Sequence, residues 1–131
     1  MSAICDLVRA HLEGRPARVR GLEIARTWTH VYDIAGELVA LLKAPRHSWD
    51  AYNISYGKAY MLAEVLETLQ KIEPSFSYQV VGPDEPADVA YGPQQQRGSL
   101  TITRVIEDSG FVPRFDLESG LRDYLAWVGA N

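Results

Sequence analysis

With 131 residues, 47% of them hydrophobic and 23% charged, the chain has the size and balance of one globular domain, residues 1–131, with a single core. A formal net charge of -4 without any basic tract argues against a nucleic-acid partner, and the lone Cys5 allows neither an intramolecular disulfide nor a Cys/His spacing for structural zinc. The opening MSAICDLVRAHLEG breaks its apolar positions with Asp6, Arg9 and His11, which excludes a secretory signal or membrane span, so a cytoplasmic protein is expected.

In chain order, Ile4, Leu7, Val8 and Leu12 recur at the spacing of one helix face, with Ser2 as N-cap and Gly14 as stop, predicting a helix over about Ala3 to Glu13. ARVRGL follows, β-branched only at Val19. In RTWTHVYDIAGELVALLKAP, alternation gives way to helical spacing at Ile34, Leu38, Leu41 and Leu42, so a strand leads into a helix that Pro45 closes. Asp33 stands at that junction, where a carboxylate accepts the free N–H groups of a first turn. AYNIS reads as a short strand ending near Gly57, and Leu62, Val65, Leu66, Leu69 and Ile72 mark a third helix closed by Pro74.

FSYQVV is the next strand. Residues 81–98, VGPDEPADVAYGPQQQRG, hold three prolines and three glycines and predict a long loop that is either functional or disordered. Thr101 is placed to cap a short helix carrying Ile102, Val105 and Ile106 that Gly110 ends. Asp116 is placed to cap a final helix with Leu117, Leu121, Tyr124, Leu125 and Val128 inward. No repeat or interdomain linker interrupts the series.

Three patterns in this order resemble the extended short-chain dehydrogenase/reductase family, which contains the sugar-nucleotide epimerases and dehydratases. RTWTHVYDIAGELVALL is similar to the family's Arg-Asp-aromatic-x-His-Val-x-Asp entry into a helix. WDAYNISYGKAYMLAEVLETL is similar to its strand ending in Tyr-Asn-(Ile/Val)-x-x-Gly followed by a helix. RGSLTITRVIEDSGFVPRFDLESGLRDYLAW resembles its closing Arg, short helix, Leu-Gly-(Trp/Phe)-x-Pro and terminal helix. Thr27 stands where many members have Asp, the approach GLEIAR is shortened, and Thr101, Thr103 and Arg104 replace the commoner Asp, Ser and Lys. The resemblance implies an α/β (α+β) fold: a small substrate-binding domain of four or five helices with short strands, covering the last two fifths or so of a family member and lacking its Rossmann domain.

Two parts of that family's chemistry are not found. Its glycine-rich turn lets backbone and a helix N-terminus approach the pyrophosphate of NAD, and no such run occurs here. Its Tyr-x-x-x-Lys pair sets a phenol beside an ammonium, lowering the phenol's pKa for proton exchange. Tyr52, Tyr56 and Tyr60 are followed at the fourth position by Tyr56, Tyr60 and Glu64, and the other four tyrosines also lack the Lys. No catalytic, cofactor-binding or metal-ligating residue is therefore assigned to this chain. NAD and a Rossmann domain are expected in the complete enzyme, on the same or another chain, with a nucleotide sugar as ligand and a homo-oligomer as the assembly.

The resemblance implies that Arg26 sends its forked, permanent charge to a substrate diphosphate, a surface ion pair being the alternative. Arg97 resembles a second phosphate contact, against a solvated loop arginine. Tyr91, beside Gly92 and Pro93, is a candidate to stack on a nucleobase. His30 reads as a buried histidine bonded to nearby backbone, Asp33 as a helix cap and Tyr52 as core. Trp28 and Trp127 either pack in the core or, with Tyr91, line an apolar patch left by the missing domain. The remaining readings are a reductase of a small carbonyl compound, in which Arg26 is structural, and a non-enzymatic interaction module.

Overall fold

A computed structural model describes residues 2–131. Its elements are α1 (Ala3–Leu12), β1 (Ala17–Arg20), β2 (Ala25–Arg26), α2 (Val31–Lys43), β3 (Tyr60–Met61), α3 (Leu62–Ile72), β4 (Tyr78–Val80), β5 (Val89–Ala90), a 3-10 turn (Pro93–Gln95), α4 (Thr103–Ser109) and α5 (Leu117–Ala130). The five expected helices are all present, together with short strands. A three-stranded parallel sheet runs β4-β1-β5, and β2 pairs antiparallel with β3, Ala25 opposite Met61 and Arg26 opposite Tyr60.

The core is built where α1 and α3 lay their apolar stripes over β1. Leu7, Val19, Leu62, Val65, Leu66 and Leu69 are fully buried in it. Burial of such side chains is favourable by about 1.5–3 kcal/mol each, which holds α1, β1 and α3 together. The entry of α3 is fixed by Leu62 N–H donating to Ile24 O and Ala63 N–H to Leu22 O, while Glu64 accepts from Met61 N–H at 2.7 Å. The 81–98 segment is ordered: its Asp88 accepts from both Arg15 guanidinium nitrogens (2.8 and 2.9 Å) and from Arg18 N–H (2.7 Å). Those contacts, the Arg15 guanidinium first, hold the Asp88 carboxyl below the usual carboxylate range.

Several expectations are corrected. AYNIS forms no ladder, and the strand falls later, at Tyr60–Met61, because only there does a partner, β2, lie alongside. The strand expected through RTWTH is confined to Ala25–Arg26 for the same reason. Ile102, not Thr101, occupies the N-cap position of α4, whereas Ser2 is the N-cap of α1 as expected, without a side-chain bond. Asp116 does cap α5, accepting from Ser119 N–H at 2.8 Å.

The largest correction concerns α2. Its N-cap is His30, whose Nδ1 accepts from Tyr32 N–H. Asp33, in the first turn, is instead fully buried, accepting from Arg114 N–H (3.0 Å) and Phe115 N–H (2.9 Å), so it clamps the α4–α5 connection onto α2. Tyr52 is half-buried, and its hydroxyl donates to Asp108, which also accepts from Ser48 N–H and Ser48 Oγ. Three donors on one carboxylate tie the 44–52 segment to α4 and keep Asp108 ionised, its pKa lowered first by the Tyr52 bond.

Candidate functional site

The short β2–β3 ribbon brings together side chains from four places in the sequence. Gly21, at φ +80°, ends β1 in a backbone conformation that other residues rarely adopt, and a Cβ there would collide with the Tyr91 carbonyl. The bare glycine lets Tyr91 N–H bond Arg20 O at 3.1 Å, and the Tyr91 ring then lies under Arg26, whose guanidinium carbon stands 5.4 Å from the ring centroid. Arg26 Nη1 also donates to Gln95 O at 3.4 Å. Arg26 has no carboxylate partner among the described residues. The surface ion pair that was the alternative reading of Arg26 is thus not formed.

Opposite residues of an antiparallel ladder share a face, so Tyr60 sits beside Arg26. Tyr56 stacks on Tyr60 at 6.2 Å, and the Lys58 ammonium stands 4.6 Å over the Tyr60 ring. Lys58 and Tyr60 were missed by sequence reasoning. The four-residue spacing of Tyr52, Tyr56 and Tyr60 suggests an aromatic stripe, but Asn53 and Gly57 break a helix there, and nothing in the sequence says that β2 would be the neighbour of Lys58 and Tyr60. Burial raises the Tyr91 phenol, with the Arg26 charge opposing. The nearby Tyr60 hydroxyl, followed by burial, raises Tyr56.

Arg97 is held next to this ribbon by its backbone: its N–H donates to Ala25 O at 2.9 Å, while Ala25 N–H donates to Gln96 Oε1 at 2.8 Å. Its guanidinium is exposed and bonds Gln94 O and Gln96 O of its own loop. Arg26, Tyr91 and the Arg97 backbone therefore converge on one ribbon.

A cleft of about 310 Å³ opens elsewhere, between the start of α1, residues 28–31 and α5. Trp28, His30, Phe115, Leu117, Leu121 and Tyr124 line it, and neither Arg26 nor Arg97 does. His30 stacks on Phe115 at 3.9 Å and its Nε2 meets Asp123 at 3.1 Å, so the ring is held by a carboxylate as well as by backbone. Tyr124 is pushed up to about 12 by its contact with Cys5 and by burial, which leaves it a neutral phenol. Trp28 and Tyr91 pack on the core and only Trp127, 60% exposed, lies open as an apolar patch would.

Glu37, one turn after Asp33, is fully buried and neither carboxyl oxygen has a hydrogen-bond partner. Burial pushes it up to about 7. The Ser55 backbone amide offsets part of that without closing a full hydrogen bond, and the Asp33 charge adds to it.

The β3–α3 junction does not fit the pyrophosphate of a dinucleotide. The junction from β3 into α3 is Met61–Leu62, without glycine, and the Glu64 carboxylate already takes the Met61 N–H that a pyrophosphate would need. No group of three His, Cys, Asp or Glu among the described residues is placed to hold a metal ion. No helix among them is long and apolar enough to cross a membrane.

Neither a family model nor a curated protein sequence matches the chain. Solved structures do. The ADP-L-glycero-D-manno-heptose-6-epimerase of Helicobacter pylori matches at TM-score 0.78 and 22% identity, over 99% of this chain and 38% of that one. A partial consensus L-threonine 3-dehydrogenase matches at 0.77 and 20%, over 98% and 42%. The UDP-glucuronic acid 4-epimerase of Bacillus cereus, in complex with UDP-glucuronic acid and NAD, matches at 0.71 and 21%, over 97% and 40%. The chain thus spans about two fifths of the length of each, and at these identities the likeness is one of fold. The chain shares its fold with a part of each of these proteins, and no Rossmann domain lies among the described residues.

Proposed function

We propose that this chain is the substrate-side part of an NAD-dependent epimerase or dehydratase acting on a nucleotide sugar, without redox activity of its own. The observation that carries this reading is the Arg26–Tyr91 pair, 65 positions apart in sequence yet 5.4 Å apart in space, with no carboxylate claiming the arginine among the described residues. A guanidinium fixed over an aromatic face presents forked donors to a diphosphate, and the rings of Tyr91 and Tyr60 offer surface to a nucleobase. Arg97 supplies a second cation whose present bonds are to exposed loop carbonyls and are readily exchanged for phosphate. NAD, held by a Rossmann domain on the same or another chain, supplies the hydride acceptor, while the residues of this chain grip and orient the nucleotide. A free Cys5 suits the cytoplasm. Without a Rossmann partner the chain is expected to self-associate through its exposed apolar side chains.

The test is calorimetric titration of the chain with UDP. Arg26→Ala is expected to weaken binding by about 1.5–3 kcal/mol, the cost of losing a charged hydrogen-bond partner. An affinity that stays within about twofold of the parent, a difference of only ~0.4 kcal/mol, would remove the diphosphate role. A second reading is favoured by the apolar 310 Å³ cleft, which excludes both arginines: a dehydrogenase or reductase part acting on a small carbonyl compound, with Arg26 structural. In that case UDP does not bind and a small apolar ketone does.

A further inference from the structure

Among the described residues three carboxylates are buried, and they differ in their partners. Asp33 accepts from the Arg114 and Phe115 N–H groups, and Asp108 from Ser48 and Tyr52, whereas neither oxygen of Glu37 has a partner. Buried polar groups are almost always satisfied, so an orphaned carboxyl calls for an explanation. Glu37 faces Asp33 on its own helix and Ser55 on the 53–58 stretch. The other charged groups around α2 are engaged elsewhere. Arg114, on the α4–α5 connection, stands 3.8 Å from Asp33; Asp108, on α4, has Arg46 at 4.0 Å; and His30, at the N-cap of α2, meets Asp123 of α5. No cation among the described residues offsets a negative charge on Glu37.

The stretch beside Glu37 is anchored at its ends. Tyr52 donates its hydroxyl to Asp108 at one end, and Ala59 N–H donates to Ser99 Oγ at 2.9 Å at the other. Between them the stretch forms no strand ladder among the described residues and is held by side chains, Asn53 Nδ2 donating to Thr101 O at 2.9 Å. Gly57, at φ +87°, supplies a hinge in a conformation that other residues rarely adopt. Tyr56, next to the buried Ser55, donates its N–H to Thr29 Oγ1 at 3.0 Å and stacks its ring on Tyr60 at 6.2 Å. Tyr60 in turn lies opposite Arg26. Helix α2 is the fixed side of this contact, because Asp33 ties it to the α4–α5 connection. An anion at Glu37 is therefore relieved by admitting water beneath Ser55, and that motion carries Tyr56 with it.

We propose that Glu37 is a proton-operated latch on the Arg26 ribbon: while its carboxyl holds a proton the 53–58 stretch stays closed on α2 with Tyr56 stacked on Tyr60, and loss of the proton opens the stretch and withdraws Tyr56. This rests on the reading of the ribbon as a nucleotide-sugar site. The latch works near neutrality, because burial pushes the Glu37 carboxyl up to about 7. A group titrating there is roughly 90% protonated at about pH 6 and roughly 3% protonated at about pH 8.5. Apparent affinity scales with the fraction of chains in the binding form, so nucleotide-sugar binding that needs the closed stretch weakens by roughly 30-fold over that interval. Tyr56 does not itself titrate there, since its bond to Tyr60 and its burial raise the phenol above its ordinary value.

The experiment records nuclear Overhauser contacts between the Tyr56 and Tyr60 rings of the full chain at about pH 6 and about pH 8.5. The same samples are titrated calorimetrically with UDP-glucose, whose diphosphate diester keeps its charge over this range. The expected result is a ring contact at the lower pH that is lost at the higher, with UDP-glucose affinity falling roughly 30-fold. Glu37→Gln keeps the shape without the titrating proton, so its ring contact and affinity are expected to stay constant. His30 is retained in that variant, and a pH dependence that persists there would overturn the proposal. A ring contact that survives at the higher pH in the parent, or rings that part while a measurable UDP-glucose affinity stays the same, would overturn it as well. The parent spectra decide the matter even where the variant does not fold. Rings that part in the parent with no UDP-glucose binding at either pH would refute the nucleotide reading and leave the latch on Tyr56 standing.

Discussion

Replacing Glu37 by Gln tests whether the buried carboxyl of α2 is held against its charge. In the unfolded chain this group titrates near 4.5 and in the folded chain near 7, because burial leaves the anion without water or a donor. Between those values the native state holds a proton that the unfolded state has released, so stability falls as pH rises, by about 1.4 kcal/mol per unit at most. The contribution is fully present below the unfolded pKa and is lost by the time pH has passed the folded pKa. A difference of two and a half units corresponds to roughly 3 kcal/mol lost at about pH 8, and only a few tenths at about pH 4. Gln keeps the shape and cannot ionise. Urea unfolding of parent and Glu37→Gln across this range is therefore expected to show the variant more stable by about 2–3 kcal/mol at about pH 8, with the two converging toward about pH 4. A stability difference that does not change with pH, or a variant destabilised at alkaline pH, would show that Glu37 is ionised and partnered in the folded chain, and the reasoning would fail.

Two further outcomes are expected. Asp88→Ala removes the carboxylate that joins Arg15 and β1 to the 81–98 segment; since Arg15 is partly exposed, the loss is about 1 kcal/mol by urea unfolding, with hydrogen exchange accelerated in residues 81–92. The lowered pKa of Asp88 makes its contribution present above the usual carboxylate range and lost as pH falls through the folded value, so parent and variant converge in acid. Gly21→Ala forces a Cβ against the Tyr91 carbonyl at positive φ, which costs about 1–3 kcal/mol of stability, and it displaces Tyr91 from beneath Arg26, so UDP affinity falls even though neither site residue is altered.

Much of the fold was legible because it depends on local pattern. The 3.6-residue spacing of Leu62, Val65, Leu66 and Leu69 marked the buried face of α3, Pro74 its end, and Asp116 the start of α5. Arg26 and Tyr91 were also readable as candidates, by resemblance, although periodicity said nothing of either. Their meeting depends on Gly21, on the parallel pairing of β1 with β5 and on a two-residue ribbon, all contacts between residues far apart in sequence. Lys58 and Tyr60 carried no warning for the same reason.

Periodicity identifies which side chains lie on one face of an element, but not what that face meets. In α2 it grouped Ile34, Leu38 and Leu42 correctly, yet the helix turns them outward, because Asp33 is needed inside to accept the Arg114 and Phe115 N–H groups. In AYNIS the strand composition was real, but a strand exists only through hydrogen bonds to a neighbour, and no neighbour for it lies among the described residues. The sequence by itself determined helix positions, the core of α1, β1 and α3, and the kinship of fold. Tertiary structure decided which faces are open and which distant residues share a site, since burial and pairing are properties of two surfaces and a sequence specifies each only one at a time.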